Sequence, residues 1–388
     1  MGQTSVLVMD WTVADPPQPV PLVGSTGSRE QHTPSDYSSL VRIVSLFSGA
    51  GGLDLGFDKA GFKIIWANEY DRAIWDTYRK NFPNTRLDTR SITEIEASEI
   101  PECDGIIGGP PCQSWSEAGA RRGIKDQRGQ LFFEYIRLLK AKKPLFFLAE
   151  NVSGILFQRH SKALDRIFER FTEIGYNVSF GLLNANDFGV PQDRERVIIV
   201  GYRTSLKHFF TPPSPSLPRP VLRDVIWDLR DSAQPTSGPT VLNSQATIAN
   251  HEFMTGGFST IYMSRNRVRD WDSPSFTIQA GARHAPIHPQ APPMPLISKD
   301  HRIFEPGAEH LYRRLSVREC ARIQTFPDDH EFVYSHIGHG YKMIGNAVPV
   351  EFARRIAAHI KRDLARANRG SRNGPGSVRT FDELHESE

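Results

Sequence analysis

Cysteine is scarce in this chain of 388 residues, which contains only Cys103, Cys112 and Cys320. So few thiols exclude a disulfide scaffold, and none of the 13 histidines belongs to a cluster with the spacing of a zinc site. Long hydrophobic runs are also missing, since no stretch approaches the ~18 apolar residues that a membrane helix needs. The N-terminus lacks the basic start and apolar core of a secretory signal. We therefore expect a cytoplasmic protein.

Charge of one sign is not in excess either. Lys and Arg number 47 against 44 Asp and Glu, which gives a formal net charge of +3. A chain this balanced can bind nucleic acid only through a local basic patch. Apolar residues make up 39% and charged residues 23%, which is typical of a globular protein with a sizeable core. The length favours two domains with additional tails.

Between residues 41 and 205, short β-branched or aromatic runs alternate with longer amphipathic stretches. This pattern predicts strands at 42–47, 63–67, 103–107, 144–149 and 196–201, and helices from 52, at 71–81, at 131–141 and at 162–174. The alternation is typical of an α/β fold, in which helices cover a doubly wound, mostly parallel sheet.

The rest of the chain has a different texture. Residues 1–40 show no periodicity, and we expect a disordered extension there, with a polar tail at 367–388. A proline-rich linker at 211–220 introduces a second, smaller, irregular and β-rich domain. Helical periodicity returns at 317–325 and at 350–367.

A glycine-rich turn, FSGAGGL at 47–53, follows the first strand and opens the first helix. Glycines let the backbone approach a ligand, and the helix N-terminus offers free N–H groups to a carboxylate or phosphate. Glu69 ends the second strand about twenty residues on, where an acidic side chain can hold ribose hydroxyls. NAD and S-adenosylmethionine fit this pattern equally well, and a tight structural turn is the alternative.

Two further motifs follow strands at the same edge of the sheet. Cys112 lies in GGPPCQS, whose prolines stiffen the loop, so its thiol is a candidate nucleophile beside a nucleotide site. We interpret Cys103 and Cys320 as small buried hydrophobes. Glu150, in ENV, follows a buried strand, where a partly buried carboxyl group can act as a proton donor. A helix-capping acid is the alternative for Glu150.

The segment QDRER at 192–196 opens the last predicted strand of the sheet. Its two arginines, Arg194 and Arg196, share one face of an extended segment. They could hold an oxyanion, a phosphate or the carboxylate of Glu150, and a surface ion-pair ladder is the alternative. The segment GNAVP at 345–349 precedes the last helix and could be only a turn.

Taken together, the motifs point to one family. Over about 41–365 the chain resembles the DNA (cytosine-5)-methyltransferases, because it contains, in the family's motif order, FSGAGGLDLGF, GGPPCQSWS, ENV, QDRERV, RECARIQTFPDD and GNAVP. Longer stretches are similar to bacterial modification methylases that recognise GGCC, namely CDGIIGGPPCQSWSEAG, MSRNRVRDW, HLYRRLSVRECARIQ and GYKMIGNAVPV. The resemblance implies a Rossmann-like, S-adenosylmethionine-dependent methyltransferase sheet. It places a catalytic and cofactor-binding domain at 41–205, a target-recognition domain at 206–330 and a returning C-terminal segment at 331–366.

The resemblance also implies a mechanism for cytosine, whose C5 does not attack a sulfonium methyl group unaided. The thiolate of Cys112 adds to C6, while the carboxylic acid of Glu150 protonates N3 and grips the exocyclic amine. Arg194 matches the arginine that steadies the activated base, and Arg196 belongs to the same catalytic motif. C5 then takes the methyl group and loses its proton, and elimination of the thiol gives 5-methylcytosine without a metal.

By the same resemblance, S-adenosylmethionine is the cofactor. Phe47 is expected to stack on the adenine, the turn glycines to surround the methionine moiety and Glu69 to bind the ribose. Ser91 stands before Ile92 where the family usually has an Asp or Asn, with Asp88 nearby. The matched cofactor positions are Phe47, Gly49, Gly51, Gly52, Leu53, Glu69, Tyr70, Ser91, Ile92, Pro111, Leu131, Asn346 and Ala347.

The implied substrate is double-stranded DNA, whose cytosine must leave the base stack before its C6 can be attacked. Residues 205–315 match the family's target-recognition region, in which Arg265, Arg267 and Arg269 share one face if the chain is extended. Arg283 follows. Because arginine pairs bidentately with guanine, we expect Arg265, Arg267 and Arg283 to read GGCC, with methylation of the inner cytosine. Binding to phosphates is the alternative.

Three other functions explain the motifs less completely. A transfer-RNA methyltransferase shares the catalytic domain but has a shorter recognition region. A catalytically silent DNA-binding protein does not explain intact Cys112, Glu150 and Arg194, and an NAD oxidoreductase leaves three of the motifs unexplained. We expect a monomer of the bacterial nucleoid, with neither membrane nor metal, that protects DNA from a separate cognate endonuclease.

Overall fold

The computed structural model describes residues 41–111, 127–237 and 247–372. Its centre is a seven-stranded sheet with the order β3-β2-β1-β4-β5-β7-β6. Strands β1 to β5 are paired in parallel, whereas β7 runs antiparallel between β5 and β6. The strands are β1 Arg42–Leu46, β2 Lys63–Asn68, β3 Arg86–Asp88, β4 Gly105–Gly108, β5 Phe146–Val152, β6 Tyr176–Asn184 and β7 Glu195–Arg203.

Helices cover both faces of this sheet, as the alternating pattern predicts. They are α1 Gly52–Lys59, α2 Trp75–Asn81, α3 Gln127–Lys142, α4 Ser161–Glu173, α5 Leu222–Ile226, α6 Val317–Ile323, α7 Ile337–Asn346 and α8 Val350–Arg372. Helix α4 buries Leu164, Ile167, Phe168 and Phe171, the i, i+3, i+4, i+7 stripe of an amphipathic helix. On the other face α1 packs on α8, where a side chain at Gly56 would collide with Ala353. The doubly wound α/β prediction is confirmed.

The sequence prediction did not include the sheet strands β3 and β6 or the helices α5 and α7. Strand β3 has only three residues, and β6 carries Asn and Gly in place of a continuous apolar run. Helix α7 contains three glycines, which weaken helix propensity, but it buries Ile337, Tyr341 and Ile344. Tertiary packing therefore forms α7 where local propensity does not favour a helix.

The region between the sheet and α6 is irregular, with strands of two or three residues. β8 Gln234–Pro235 pairs with β9 Glu252–Phe253, and β10 Leu296–Ser298 pairs with β11 His301–Arg302. A small core holds this region together, formed by Tyr262, Val268, Ile287, Ala291, Met294 and Tyr312. No helix within the described ranges is both long and apolar enough to cross a membrane.

Another apolar cluster joins this irregular region to the C-terminal helices. Leu222, Ile226 and Ile278 pack with Val317 and Ile344 in it. The cluster also reaches Ala50 in the glycine-rich turn and Ile74 before α2, so it connects the two parts of the molecule. The domain boundaries at 205 and 330 stay a prediction.

Candidate active site at the carboxyl edge of the sheet

The predicted site residues of the first half of the chain converge on one edge of the sheet. Phe47 follows β1, Glu69 follows β2, Gly109 follows β4, and Glu150 lies near the end of β5. Carboxyl ends of neighbouring parallel strands form the crevice in which ligands of such sheets bind. The fold therefore places these four residues around one crevice.

The glycine-rich turn has a left-handed backbone at Phe47, Gly49 and Gly51, with φ of 54°, 55° and 82°. Such a φ is rare for a residue with a side chain, so Phe47 is a strained position, as is common at functional sites. A side chain at Gly51 would collide with Phe82, and one at Gly52 with the carbonyl of Val348. Among the glycines of this turn, Gly49 differs from Gly51 and Gly52, because an added Cβ there would find no heavy atom within 4 Å. Of these three glycines, Gly49 is therefore the one that leaves open space beside its backbone.

Glu69 fixes this turn through its carboxylate. Oε2 accepts a hydrogen bond from the Gly49 amide at 2.9 Å, and Oε1 accepts one from the Asp71 amide at 2.7 Å. Burial raises the pKa of Glu69, and the two amides oppose that effect. Beside it, Tyr70 is 71% exposed and open to a ligand. The carboxylate is thus held at the edge where ribose hydroxyls were predicted to bind.

A buried carboxyl group under the turn was missed by the sequence prediction. Asp54, in the first turn of α1, accepts hydrogen bonds from Ser45 Oγ and Tyr78 OH, both at 2.6 Å. Its full burial raises its pKa from 3.8 to about 6, against the lowering effect of the two hydroxyl groups. This cluster could not be predicted from a local sequence pattern, because its members come from three separate elements, β1, α1 and α2.

At the predicted adenine edge, the polar side chains already have partners. The carboxylate of Asp88 accepts a 2.7 Å hydrogen bond from Arg90, whose ion pair lowers the pKa of Asp88. Ser91 caps the short helical turn that begins at Ile92, with its Oγ 3.4 Å from the Thr93 amide. Ile92 is buried. The aspartate is therefore tied to Arg90, and a serine takes the usual acidic position.

The remaining cofactor candidates differ in how deeply they are buried. Leu53 is buried in the core beneath the turn, and Leu131 packs its half-buried side chain on the opposite core. Asn346 ends α7 and is exposed, whereas Ala347 is buried and offers its carbonyl to Arg194. Pro111 is half-buried after β4. The open turn at Gly49 and the held carboxylate of Glu69 fit a nucleoside-bearing cofactor.

Glu150 is paired with Arg196 across the antiparallel β5–β7 ladder. The Arg196 Nε lies 2.8 Å from Glu150 Oε1, and the side chains are 12% and 10% exposed. A Cβ added at Gly109 would lie 3.4 Å from Glu150 Oε2. The glycine therefore keeps the space beside the second oxygen clear.

Arg194, which the motif predicts to steady the activated base, contacts backbone carbonyls in this structure, and its predicted role stays a prediction. Its side chain is buried and donates to the carbonyls of Ile278 at 3.0 Å and of Gly345 and Ala347, both at 2.9 Å. It joins the recognition region to the GNAVP segment. Because Arg194 is used in this way, Arg196 is the arginine that holds Glu150.

The loop after β4 is bonded to the end of β5. Asn151 Nδ2 donates to the carbonyl of Pro110 at 2.9 Å, which brings the start of the GGPPC segment next to Glu150. Cys112, the predicted nucleophile, lies outside the described residues. Within the described ranges, no group of three or more His, Cys, Asp or Glu side chains is arranged to hold a metal ion.

The four predicted DNA-contacting arginines fall into two pairs. Arg265 and Arg283 are exposed, and neither has an ion pair or hydrogen bond to the described part of the chain. The Arg267 side chain donates to the carbonyls of Tyr262 at 2.9 Å and Ile261 at 3.2 Å. Arg269 forms a 2.9 Å ion pair with Asp193. The three arginines of the extended segment therefore do not act as one free face.

The fold and this crevice define a Rossmann-like methyltransferase, and comparison with known proteins agrees. A candidate DNA modification methyltransferase encoded within a prophage (E. coli) matches with a TM-score of 0.65 and 25% identity, over 84% of this chain and 100% of that one. A methyltransferase of Entamoeba histolytica, EhMeth, matches with a TM-score of 0.62 at 15% identity, over 84% and 99%.

The family follows from the sequence comparisons. The model of the C-5 cytosine-specific DNA methylases matches residues 41–362. Type II methyltransferase M.FnuDI of Fusobacterium nucleatum is 56% identical over 84% of this chain and 95% of its own length. M.NgoPII of Neisseria gonorrhoeae is 52% identical over 87% and 100%. The chain belongs to the C-5 cytosine-specific DNA methylase family and is a DNA (cytosine-5)-methyltransferase, which implies use of S-adenosylmethionine and a DNA substrate.

Proposed function

We propose that this chain methylates the inner cytosine of GGCC in double-stranded DNA, after that base has left the helix. The ion pair between Glu150 and Arg196 carries the catalytic part of this proposal. Resemblance of the recognition region to GGCC-specific modification methylases carries the target. In this role the protein protects DNA from a cognate restriction endonuclease.

The cofactor would occupy the crevice between the glycine-rich turn and Glu69. There Phe47 and Tyr70 would flank the adenine, and Glu69 would accept hydrogen bonds from the ribose hydroxyls. Gly49 leaves the space that the cofactor needs. When bound, S-adenosylmethionine supplies the methyl group.

Catalysis would depend on Glu150, Arg196 and Cys112. Arg196 holds one oxygen of Glu150, so the other is directed to the space kept open at Gly109, where it can serve N3 and the exocyclic amine of cytosine. The thiolate of Cys112 adds to C6 and makes C5 nucleophilic. Loss of the C5 proton after methylation lets the thiol leave and restores the aromatic ring. Arg194 supports this edge without touching the base.

Recognition would use the two exposed arginines, Arg265 and Arg283, for guanine edges. Each bidentate contact discriminates by about 1–3 kcal/mol against a wrong base. Arg267 already donates to two carbonyls, and Arg269 is paired with Asp193. Extrusion of the cytosine costs a few kcal/mol, which the flanking contacts must offset.

Bisulfite sequencing of unmethylated genomic DNA, incubated with the protein and S-adenosylmethionine, tests this proposal. We expect protected cytosines only at the inner position of GGCC. Protection at another sequence motif would support cytosine-5 methylation but would overturn the assignment of GGCC as the target. Folded protein that protects no cytosine would instead favour an RNA substrate or a silent DNA-binding protein.

A further inference from the structure

Helix α7 contacts the loop after β2 through an ion pair. Lys342 Nζ lies 2.5 Å from Asp71 Oδ2, and the amide of Asp71 donates to Glu69 Oε1 at 2.7 Å. The other oxygen of Glu69 accepts from the Gly49 amide. A continuous path of polar contacts therefore runs from the C-terminal segment of the chain to the glycine-rich turn.

The charges along this path are not balanced without Lys342. Glu69 faces Asp71 from its own loop, Asp54 from α1 and Lys342 from α7, and His339 also faces Asp71 from α7. Burial and the negative charge of Asp71 raise the pKa of Glu69, whereas the positive charge of Lys342 lowers it. Lys342 is therefore the cation that offsets repulsion between the two carboxylates.

We propose that Lys342 is a positioning residue for cofactor binding. It holds Asp71 so that the Asp71 amide stays bonded to Glu69, and its positive charge keeps Glu69 ionised, so that Glu69 can accept hydrogen bonds from the ribose hydroxyls. The proposal rests on the role of Glu69 in the proposed function. It gives the GYKMIGN segment a task beyond supplying Asn346 to the crevice.

A second ion pair in the molecule provides a matched control. Lys80, on α2, pairs with Glu331 before α7 at 2.5 Å, and these side chains are 50% and 44% exposed. The corresponding exposures of Lys342 and Asp71 are 45% and 31%. Both pairs join the first half of the chain to the C-terminal segment, but the Lys80 pair is not bonded to Glu69. A general loss of a tertiary ion pair should therefore affect both lysines alike.

Isothermal titration calorimetry with S-adenosylhomocysteine distinguishes a specific role of Lys342 from the general loss of an ion pair, and it does not depend on turnover. We expect K342M to weaken binding by about two- to fivefold, the range of a partly exposed ion pair. K342R should bind as the wild type does, and K80M should be unchanged. Binding by K342M should also be lost at a higher pH than in the wild type as the solution is acidified, because Glu69 loses the charge that keeps it ionised.

The outcomes distinguish this inference from the proposed function. If the wild type does not bind S-adenosylhomocysteine, or if E69Q binds as tightly as the wild type, the cofactor site itself is wrong and the inference is overturned with it. If E69Q binds weakly while K342M matches K80M in affinity and pH profile, only the role of Lys342 is overturned. Thermal unfolding of each variant shows whether a loss of binding reflects a loss of folding.

Discussion

Two segments of this molecule have arginines at every second position, but the side chains of the two segments make different contacts. In 194–196 the two arginines are two residues apart at the start of β7, and in 265–269 three arginines repeat that spacing. The first segment directs Arg196 to Glu150 and buries Arg194 among backbone carbonyls. The second leaves Arg265 exposed and ties Arg267 and Arg269 to the protein. Spacing alone therefore does not decide which arginine is free to act.

The surroundings explain the difference. Arg196 is paired opposite Val152 in a regular ladder, which fixes its direction. The 265–269 segment has no such ladder, and the side chain of Asn266 holds it by bonding Val268 and the Met294 amide. A sheet edge preorganises a catalytic side chain, whereas a loop held by a few side-chain bonds can adjust to DNA.

Loss of Arg196 should have the largest effect on the catalytic side of this comparison. R196M leaves Glu150 without its cation, so we expect the single-turnover rate constant of methylation to fall by about 100- to 1,000-fold, within the usual range for acid–base groups. The exposed neighbour Glu195 gives the control E195Q, which should keep normal turnover. Single-turnover methylation of a GGCC duplex measures both. Equal rates for R196M and the wild type would contradict the assignment.

Loss of Arg194 should instead affect folding. R194M removes the donor to three buried carbonyls, so we expect the free energy of unfolding to fall by about 3 kcal/mol. Urea denaturation measures this change. A stable R194M protein with a large loss of kcat would show that Arg194, rather than Arg196, acts on the base.

The positions of Glu69, Glu150 and the glycine-rich turn were predictable because strand order and strand ends determine them. The different contacts of Arg194 and Arg196 were not predictable, because the partners of Arg194 lie 84, 151 and 153 residues further along the chain. The same holds for Lys342 and Asp71, which are 271 residues apart. Tertiary contacts at such separations leave no local pattern, and neither does the strand β6, whose polar residues hide its period.

The buried edge should also show a pH dependence that the exposed recognition segment lacks. The folded protein keeps Asp54 protonated up to about pH 6, whereas the unfolded chain ionises near the ordinary value of 3.8. Between these values the folded state binds the extra proton, so stability falls as the pH rises, by about 3 kcal/mol in total. The D54N variant has no carboxyl group at this position, so its free energy of unfolding does not fall for this reason as the pH rises. Its free energy of unfolding relative to the wild type should therefore increase from pH 4 to pH 7.

Urea denaturation at several pH values measures that relative change. D76N provides the control, because the Asp76 side chain on α2 is 78% exposed and should leave the difference from the wild type constant. A constant difference for D54N as well would mean that the carboxyl group of Asp54 is not held protonated by its burial.

The smallest effects are expected within the recognition segment. R265A should leave stability unchanged and reduce discrimination at one G·C pair, because the side chain has no partner in the described part of the chain. R267A should lower the free energy of unfolding by about 1 kcal/mol through loss of its bonds to the Tyr262 and Ile261 carbonyls. Uniformly weaker binding by R267A with a reduced salt slope would assign Arg267 to a phosphate.

The central claim is that one arginine segment performs chemistry and the other performs recognition. Bisulfite sequencing of a random-sequence duplex library, treated with the wild type, R196M or R265A, tests it most directly. We expect R196M to lower the fraction of protected cytosines at every methylated site without changing which sites are methylated, and R265A to broaden the set of sites. A changed site preference in R196M, or an unchanged preference in R265A, would contradict the account.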